Sequence, residues 1–162
     1  MAADPENTLY LELETGRVVI ALRPDLAPNH VARIKELARQ GFYDGLVFHR
    51  VIDGFMAQTG DPRGDGTGGS GKKLKAEFSD AKHLRGTVSM ARAQSPDSAD
   101  SQFFIMFDAA PYLDGQYTIW GQVIEGIEHV DRIKRGAMDN NGAVADPDRI
   151  VAMRVAADAV GD

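Results

Sequence analysis

The sequence contains no cysteine, which excludes disulfides, thiol nucleophiles and Cys-ligated zinc together. Basic residues are also in short supply: 18 Lys and Arg stand against 24 Asp and Glu, a net charge of −6. No basic block is longer than the pair Lys72–Lys73. Nucleic acid is therefore not an expected partner, because its affinity comes from neutralising phosphates with clustered cations. Long apolar runs are missing as well. Nothing approaches the ~20 residues needed to cross a bilayer, and the first residues, MAADPENTLYLEL, carry neither the basic nor the apolar part of a secretory leader. An untargeted cytoplasmic protein, away from membranes, is expected. The four histidines, His30, His49, His83 and His129, are scattered without H-E-x-x-H spacing, and no serine sits in a G-x-S-x-G elbow. No metal, no cofactor and no hydrolase triad are expected.

What is present is an ordinary globular composition, 43% hydrophobic and 26% charged over 162 residues, enough for one core in one domain. The expectation is a single unit over residues 1–162, with flexible ends at 1–6 and 159–162. Leu9, Leu11 and Leu13 alternate with polar neighbours, and Val18, Ile20 and Leu22 alternate again after Thr15–Gly16, which predicts a hairpin. Val31, Ile34, Leu37 and Ala38 recur at helical spacing between Pro28 and Gly41, residues suited to a helix start and end. Leu46 to Ile52 and Phe55 to Thr59 are short apolar runs split by the turn dipeptide Asp53–Gly54. TVSMA, QFFIMF, TIWGQV and RIVAMRVAA follow as strands, with a second helix from about Glu125 to Arg135, closed by Gly136. Strict βα alternation is missing. Eight half-buried strands and two helices predict a mainly β fold, a closed eight-stranded antiparallel β-barrel capped by the two helices.

Two local patterns carry chemistry. In GDGTGGSGKK, Gly66, Gly71 and Lys72 fit most of a phosphate-binding loop. Yet no helix pattern follows, and Lys73 stands where a hydroxyl should bind Mg²⁺; a glycine-rich surface loop is the better reading. The second pattern is Arg50, set inside the apolar run LVFHRVI and followed by FMAQ. Across a hairpin turning at Asp53–Gly54, Arg50 is expected near Phe55, with Met56 and Gln58 projecting to one shared face. The commoner role for a strand arginine is a surface ion pair, so this pattern alone leaves the choice open.

Taken in order, FHRVIDGFMAQTGDPRGDGTGG, GTVSMARA, SQFFIMF and YLDGQYTIWGQV resemble the core segments of the cyclophilins, the peptidyl-prolyl cis/trans isomerases. The resemblance spans roughly Leu9 to Val155. It implies the same eight-stranded barrel with two helices, and an enzyme that accelerates rotation about X–Pro bonds and assists protein folding as a chaperone. By matching positions it implies Arg50 as the catalytic guanidinium and Phe55, Met56, Phe104 and Leu113 as a proline pocket. Gln58 becomes a polar anchor, while Ala91, Arg92 and Gln102 border the groove for the peptide backbone, with GTGG at its rim. Phe103, by alternation, belongs to the core. Implied partners are proline-containing peptides and unfolded or folded client proteins, met by a monomer. Tyr112 stands where the best-known eukaryotic members carry a tryptophan, Tyr117 where they carry a histidine, and Arg92 where they carry an asparagine. Weak cyclosporin binding is expected, since the indole donor is lost. The short loop after Asp61 and the segment QSPDSAD resemble bacterial members. A proline-binding module without catalysis and a nucleotide-dependent enzyme remain the alternatives.

Overall fold

The computed structural model describes residues 4–137 and 141–159. Its eight strands are β1 (Thr8–Leu13), β2 (Gly16–Leu22), β3 (Arg50–Ile52), β4 (Met56–Thr59), β5 (Thr87–Met90), β6 (Phe103–Met106), β7 (Ile119–Glu125) and β8 (Ile150–Val155). All pair antiparallel, in the order β3-β4-β6-β5-β7-β2-β1-β8. Every predicted apolar run contributes one strand. The inward residues of the first hairpin, Leu9, Leu11, Val18 and Ile20, are fully buried, and they join Phe103, Ile105 and Trp120 in the main core.

The expected closed barrel is corrected to a curled, open half-barrel: β3 and β8 are the two ends of the order and share no ladder. The reason lies in β3, which spans only three residues. Its upstream run, residues 45–48, crosses toward β8 as irregular chain. Gly45 N–H donates to the Ile150 carbonyl at 2.7 Å and Phe48 N–H to that of Asp148 at 2.9 Å, and one isolated bridge joins Val47 to Arg149. The seam is stitched by single hydrogen bonds rather than by a strand.

Helix α1 (Pro28–Arg39) begins with proline and is followed by Gly41 at φ 71°. Its buried face is His30, Val31, Ile34, Leu37 and Ala38. Ala27 offers the N-terminus no side-chain cap. Glu77, far along the chain, accepts the N–H groups of Asn29 (3.2 Å) and His30 (2.8 Å) in its place. Helix α2 is shorter than expected, a single turn over Ile127–Val130. Ile127, Val130 and Ile133 repeat every three residues, which suits the tighter winding seen next: Arg132 N–H donates to His129 and Ile133 N–H to Val130. No helix among the described residues is long and apolar enough to cross a membrane.

At the N-terminal end, expected to be flexible, Pro5–Asn7 form a 3-10 turn capped by Asp4. Glu6 pairs there with Lys35 and Arg39 of α1. Residues 1–3 and 160–162 lie outside the described residues.

Candidate active site

Adjacent strand residues face opposite ways, and here the two faces carry two separate apolar clusters. On β6, Phe103 and Ile105 enter the main core, while Phe104 and Met106 turn to the other face. On β4, Ala57 joins the main core and Met56 the outer cluster. Register then matches Met56 with Met106 and Gln58 with Phe104. Leu113 arrives from a short 3-10 helix, Pro111–Leu113, and Ala91, Phe55 and Tyr117 pack onto the same cluster.

The outer cluster leaves a slot of about 110 Å³ lined by Arg50, Phe55, Met56, Gln58, Ala91, Arg92, Phe104, Leu113 and Tyr117. Of the sequence-expected residues, only Gln102 and Tyr112 fall outside this lining. Gln102 sits in the adjoining cavity of about 350 Å³, which shares Gln58, Ala91 and Arg92 with the slot and runs on to Gly66, Thr67, Gly68 and Gly69. Tyr112 is 71% exposed, its ring 5.9 Å from that of Phe55, so it stands at the rim.

Arg50 is placed by β3 and lines the slot together with Phe55; its partner across the hairpin is Gln58, and Phe55 falls in the turn itself. Its guanidinium donates from Nη1 to Gln58 Oε1 (3.1 Å), from Nε to the Asn141 carbonyl (3.0 Å) and from Nη2 to Asn141 Oδ1 (3.2 Å). Among the described residues, none of the arginine ion pairs involves Arg50. Burial pushes its pKa below the usual arginine value, with a smaller opposing effect from Tyr117; a guanidinium still stays charged in water-accessible protein sites. Gln58 passes the chain on, donating to Gln102 Oε1 at 2.9 Å, and Gln102 donates to the carbonyls of Gly66 and Gly68. Arg92 is fixed differently. It donates to the Gln116, Ala93 and Gln94 carbonyls and lies 4.6 Å over the Tyr117 ring.

Two features behind the slot were not legible beforehand. His83 is fully buried, stacks on Phe104, and is held between Asp114 (3.1 Å from Nδ1) and Ser89 (3.0 Å from Nε2). Asn141 contacts Arg50 from a distant loop; the only trace in the sequence is Asn-Gly, a left-handed turn signal. The glycine-rich loop is also explained. Asp61, 1% exposed, accepts the N–H groups of Arg63, Asp65 and Gly66, while Asp100 accepts those of Ser70 and Gly71. Burial would raise the Asp61 pKa, but these backbone donors outweigh it and hold the group below its usual value. The amides that a phosphate would need are thus taken by the protein's own carboxylates. A Cβ on Gly68 would lie 2.1 Å from Asp61 Oδ1, so the close approach requires glycine. Among the described residues no cluster of three or more His, Asp or Glu could hold a metal ion.

A charged fork on the wall of an apolar slot, beside a polar groove, has the shape of a site for a proline ring within a peptide. Residues 8–155 match the family described as Cyclophilin type peptidyl-prolyl cis-trans isomerase/CLD. The chain belongs to the cyclophilin family of peptidyl-prolyl cis-trans isomerases. The isomerase is 56% identical to a probable peptidyl-prolyl cis-trans isomerase of Brucella suis biovar 1 (strain 1330), covering 97% of this chain and 86% of the relative. It is 44% identical to peptidyl-prolyl cis-trans isomerase B of Bacillus subtilis (strain 168), over 80% of this chain and 92% of the relative. Among solved structures, cyclophilin AquaCyp293 from Hirschia baltica superposes with a TM-score of 0.86 at 29% identity, over 98% of this chain and 77% of that one. A Cryptosporidium parvum cyclophilin determined in the presence of the dipeptide Ala-Pro gives 0.82 at 29% identity, over 91% and 98%. This cyclophilin accordingly catalyses cis-trans isomerisation of X–Pro peptide bonds.

Proposed function

We propose that Arg50 is the catalytic group, that Phe55, Met56, Phe104 and Leu113 seat the proline ring, and that Gln58, Ala91, Arg92, Gln102 and Tyr117 guide the flanking peptide. Rotation about the imide is slow because amide resonance must be lost, at a barrier of ~18–20 kcal/mol. No bond is made or cut, so catalysis reduces to binding the twisted amide better than either planar form. On twisting, the imide nitrogen regains a lone pair and can accept a hydrogen bond. Of the five N–H groups on Arg50, three are committed to Gln58 and Asn141. The remaining two, one on each terminal nitrogen, form a fork that a twisted imide can meet. The apolar slot immobilises the ring while the acyl side turns, and exclusion of water strengthens the field of the arginine.

The observation that carries this reading is a guanidinium on the slot wall with no carboxylate partner among the described residues. Arg50→Ala is expected to lower kcat/KM on a short X–Pro peptide about 100-fold or more with the circular dichroism spectrum preserved. Full activity in that variant, measured by NMR exchange, rules Arg50 out as the catalytic group.

The clients are proline-containing segments of folding or folded proteins, and the chain works as one unit over residues 1–162, in the cytoplasm. It is a monomer, since the free edge of β3 is met by the backbone of Gly136 and Gly142 and the start of β8 by residues 45–48, which leaves little edge to pair with a second copy; a solution mass near twice 17.6 kDa contradicts this. Cyclosporin binds weakly. Tyr112 at the rim has a phenol in place of an indole donor, and loss of one such hydrogen bond weakens binding about tenfold. Titration calorimetry yielding a nanomolar Kd overturns that expectation.

A further inference from the structure

Asn141 makes two contacts to the guanidinium of Arg50, one through its backbone carbonyl and one through Oδ1. Its own position is set by the backbone around it. Asn141 and Gly142 both have positive φ, 55° and 78°, the conformation that Asn-Gly favours. Gly142 accepts the Val51 N–H at 2.8 Å, Gly136 N–H donates to the Val51 carbonyl at 2.8 Å, and an isolated bridge pairs Arg50 with Ala143. A Cβ on Gly142 would meet Ile52 Cγ1 at 2.6 Å, so glycine is needed for the loop to lie this close to β3. Residues 141–143 therefore run beside β3 as a short splint, and among the described residues of this loop the polar side chain in contact with Arg50 is an uncharged amide.

We propose that Asn141 is a positioning residue for the isomerase reaction: it grips the Nε and Nη2 edge of Arg50 with two neutral acceptors, aiming the free fork into the slot without cancelling its charge. This rests on the reading of Arg50 as the catalytic group. Two demands meet at residue 141. The backbone must accept positive φ, which asparagine, aspartate and glycine tolerate best. The side chain must accept a hydrogen bond yet carry no charge, because a carboxylate at this distance would form an ion pair with the guanidinium and oppose its interaction with the imide nitrogen. Asparagine meets both demands. Gln58, also a neutral amide, holds Nη1 on the other side, so the guanidinium is bracketed by amides on both flanks. From there the chain of amides continues through Gln102 to the glycine-rich loop.

Two variants separate the parts. Asn141→Asp keeps shape and backbone but adds charge; Asn141→Gly keeps the left-handed backbone and the carbonyl contact but removes Oδ1. The assay is NMR exchange on a short Ala-Pro peptide, which yields kcat and KM separately, with urea unfolding as the check on folding. For Asn141→Asp, kcat is expected to fall about 10- to 100-fold with KM within about twofold, since residue 141 does not line the slot. For Asn141→Gly, kcat falls several-fold, and the Arg50 Nε–H resonance, held by the Asn141 carbonyl in the parent, broadens as the side chain loses its second anchor. Wild-type kcat in both folded variants overturns the proposal, as does an effect confined to KM. If Arg50→Ala is inactive while both Asn141 variants are fully active, only the positioning role is lost. If Arg50→Ala is itself fully active, the reading of the whole site falls first.

Discussion

Phe103 and Phe104 are chemically identical neighbours, and the pleat sends them into different environments. Phe103 is fully buried against Tyr43 and Trp120 in the main core, whereas Phe104, also almost fully buried, stacks on His83 and walls the slot. Truncating either to alanine removes comparable apolar contact, so both variants should lose about 3–5 kcal/mol of stability. Their catalytic consequences should diverge. Phe104→Ala opens the slot and, with the proline ring seated as proposed, is expected to reduce kcat/KM more than tenfold by removing a face for the ring to pack on; Phe103→Ala in its folded fraction should retain activity within about threefold. Equal activity losses in the two, after correction for the fraction folded, would contradict the separation of core and site.

Elements differ in how far their boundaries can be read from sequence. Period-two alternation marks β1, where Leu9, Leu11 and Leu13 are buried and Tyr10 and Glu12 between them only partly so, and marks β2 more weakly, since Val19 on its outer face is buried too. The four residues of β6 are all buried, so periodicity is silent there, and only the resemblance to a known family assigned Phe104 to the pocket. Helix α2 is shorter than its sequence pattern predicts because an i, i+3, i+6 spacing serves a 3-10 turn as well as an α-helix. The barrel is open where a closed one is expected for a related reason. The apolar run from Leu46 to Ile52 looks like one strand, yet only Arg50–Ile52 join the ladder. Hydrophobicity records burial, and burial along the seam is satisfied by irregular chain just as well as by a strand. Contacts made across long sequence separations were the least legible. Glu77 capping α1, His83 behind Phe104 and Asn141 on Arg50 are polar side chains whose partners are set by the tertiary fold, and no local pattern encodes them.

At the scale of the whole molecule, the interior holds three imidazoles that have no part in the proposed mechanism, and they should make stability and activity respond differently to pH. Burial lowers the pKa of His30, His49 and His83, and it prevails even where a carboxylate opposes it, Glu77 beside His30 and Asp114 beside His83. All three are thus neutral in the folded state at pH 7, while in the unfolded chain they titrate near the ordinary value of ~6.5. Below that value the unfolded chain takes up protons that the folded one refuses, so stability is complete above about pH 7 and declines as pH falls through 6.5 toward the lowered folded values. A second decline follows further down. The lowered pKa values of Asp61 and Glu77 mean that their contribution, intact above the ordinary carboxylate range, is lost as pH falls below it. Between pH 8 and 5.5 the unfolding free energy measured in urea is expected to drop, by at most about 4 kcal/mol if all three imidazoles stay neutral in the folded state. Over the same interval kcat of the folded enzyme should stay level, because Arg50, the proposed catalytic group, does not titrate there. An unfolding free energy that is constant from pH 8 to 5.5 would mean that the buried imidazoles accept protons as freely in the folded state as in the unfolded chain. A kcat that fell in parallel would mean that one of them reaches the reacting imide after all, with His83 behind Phe104 the first to examine.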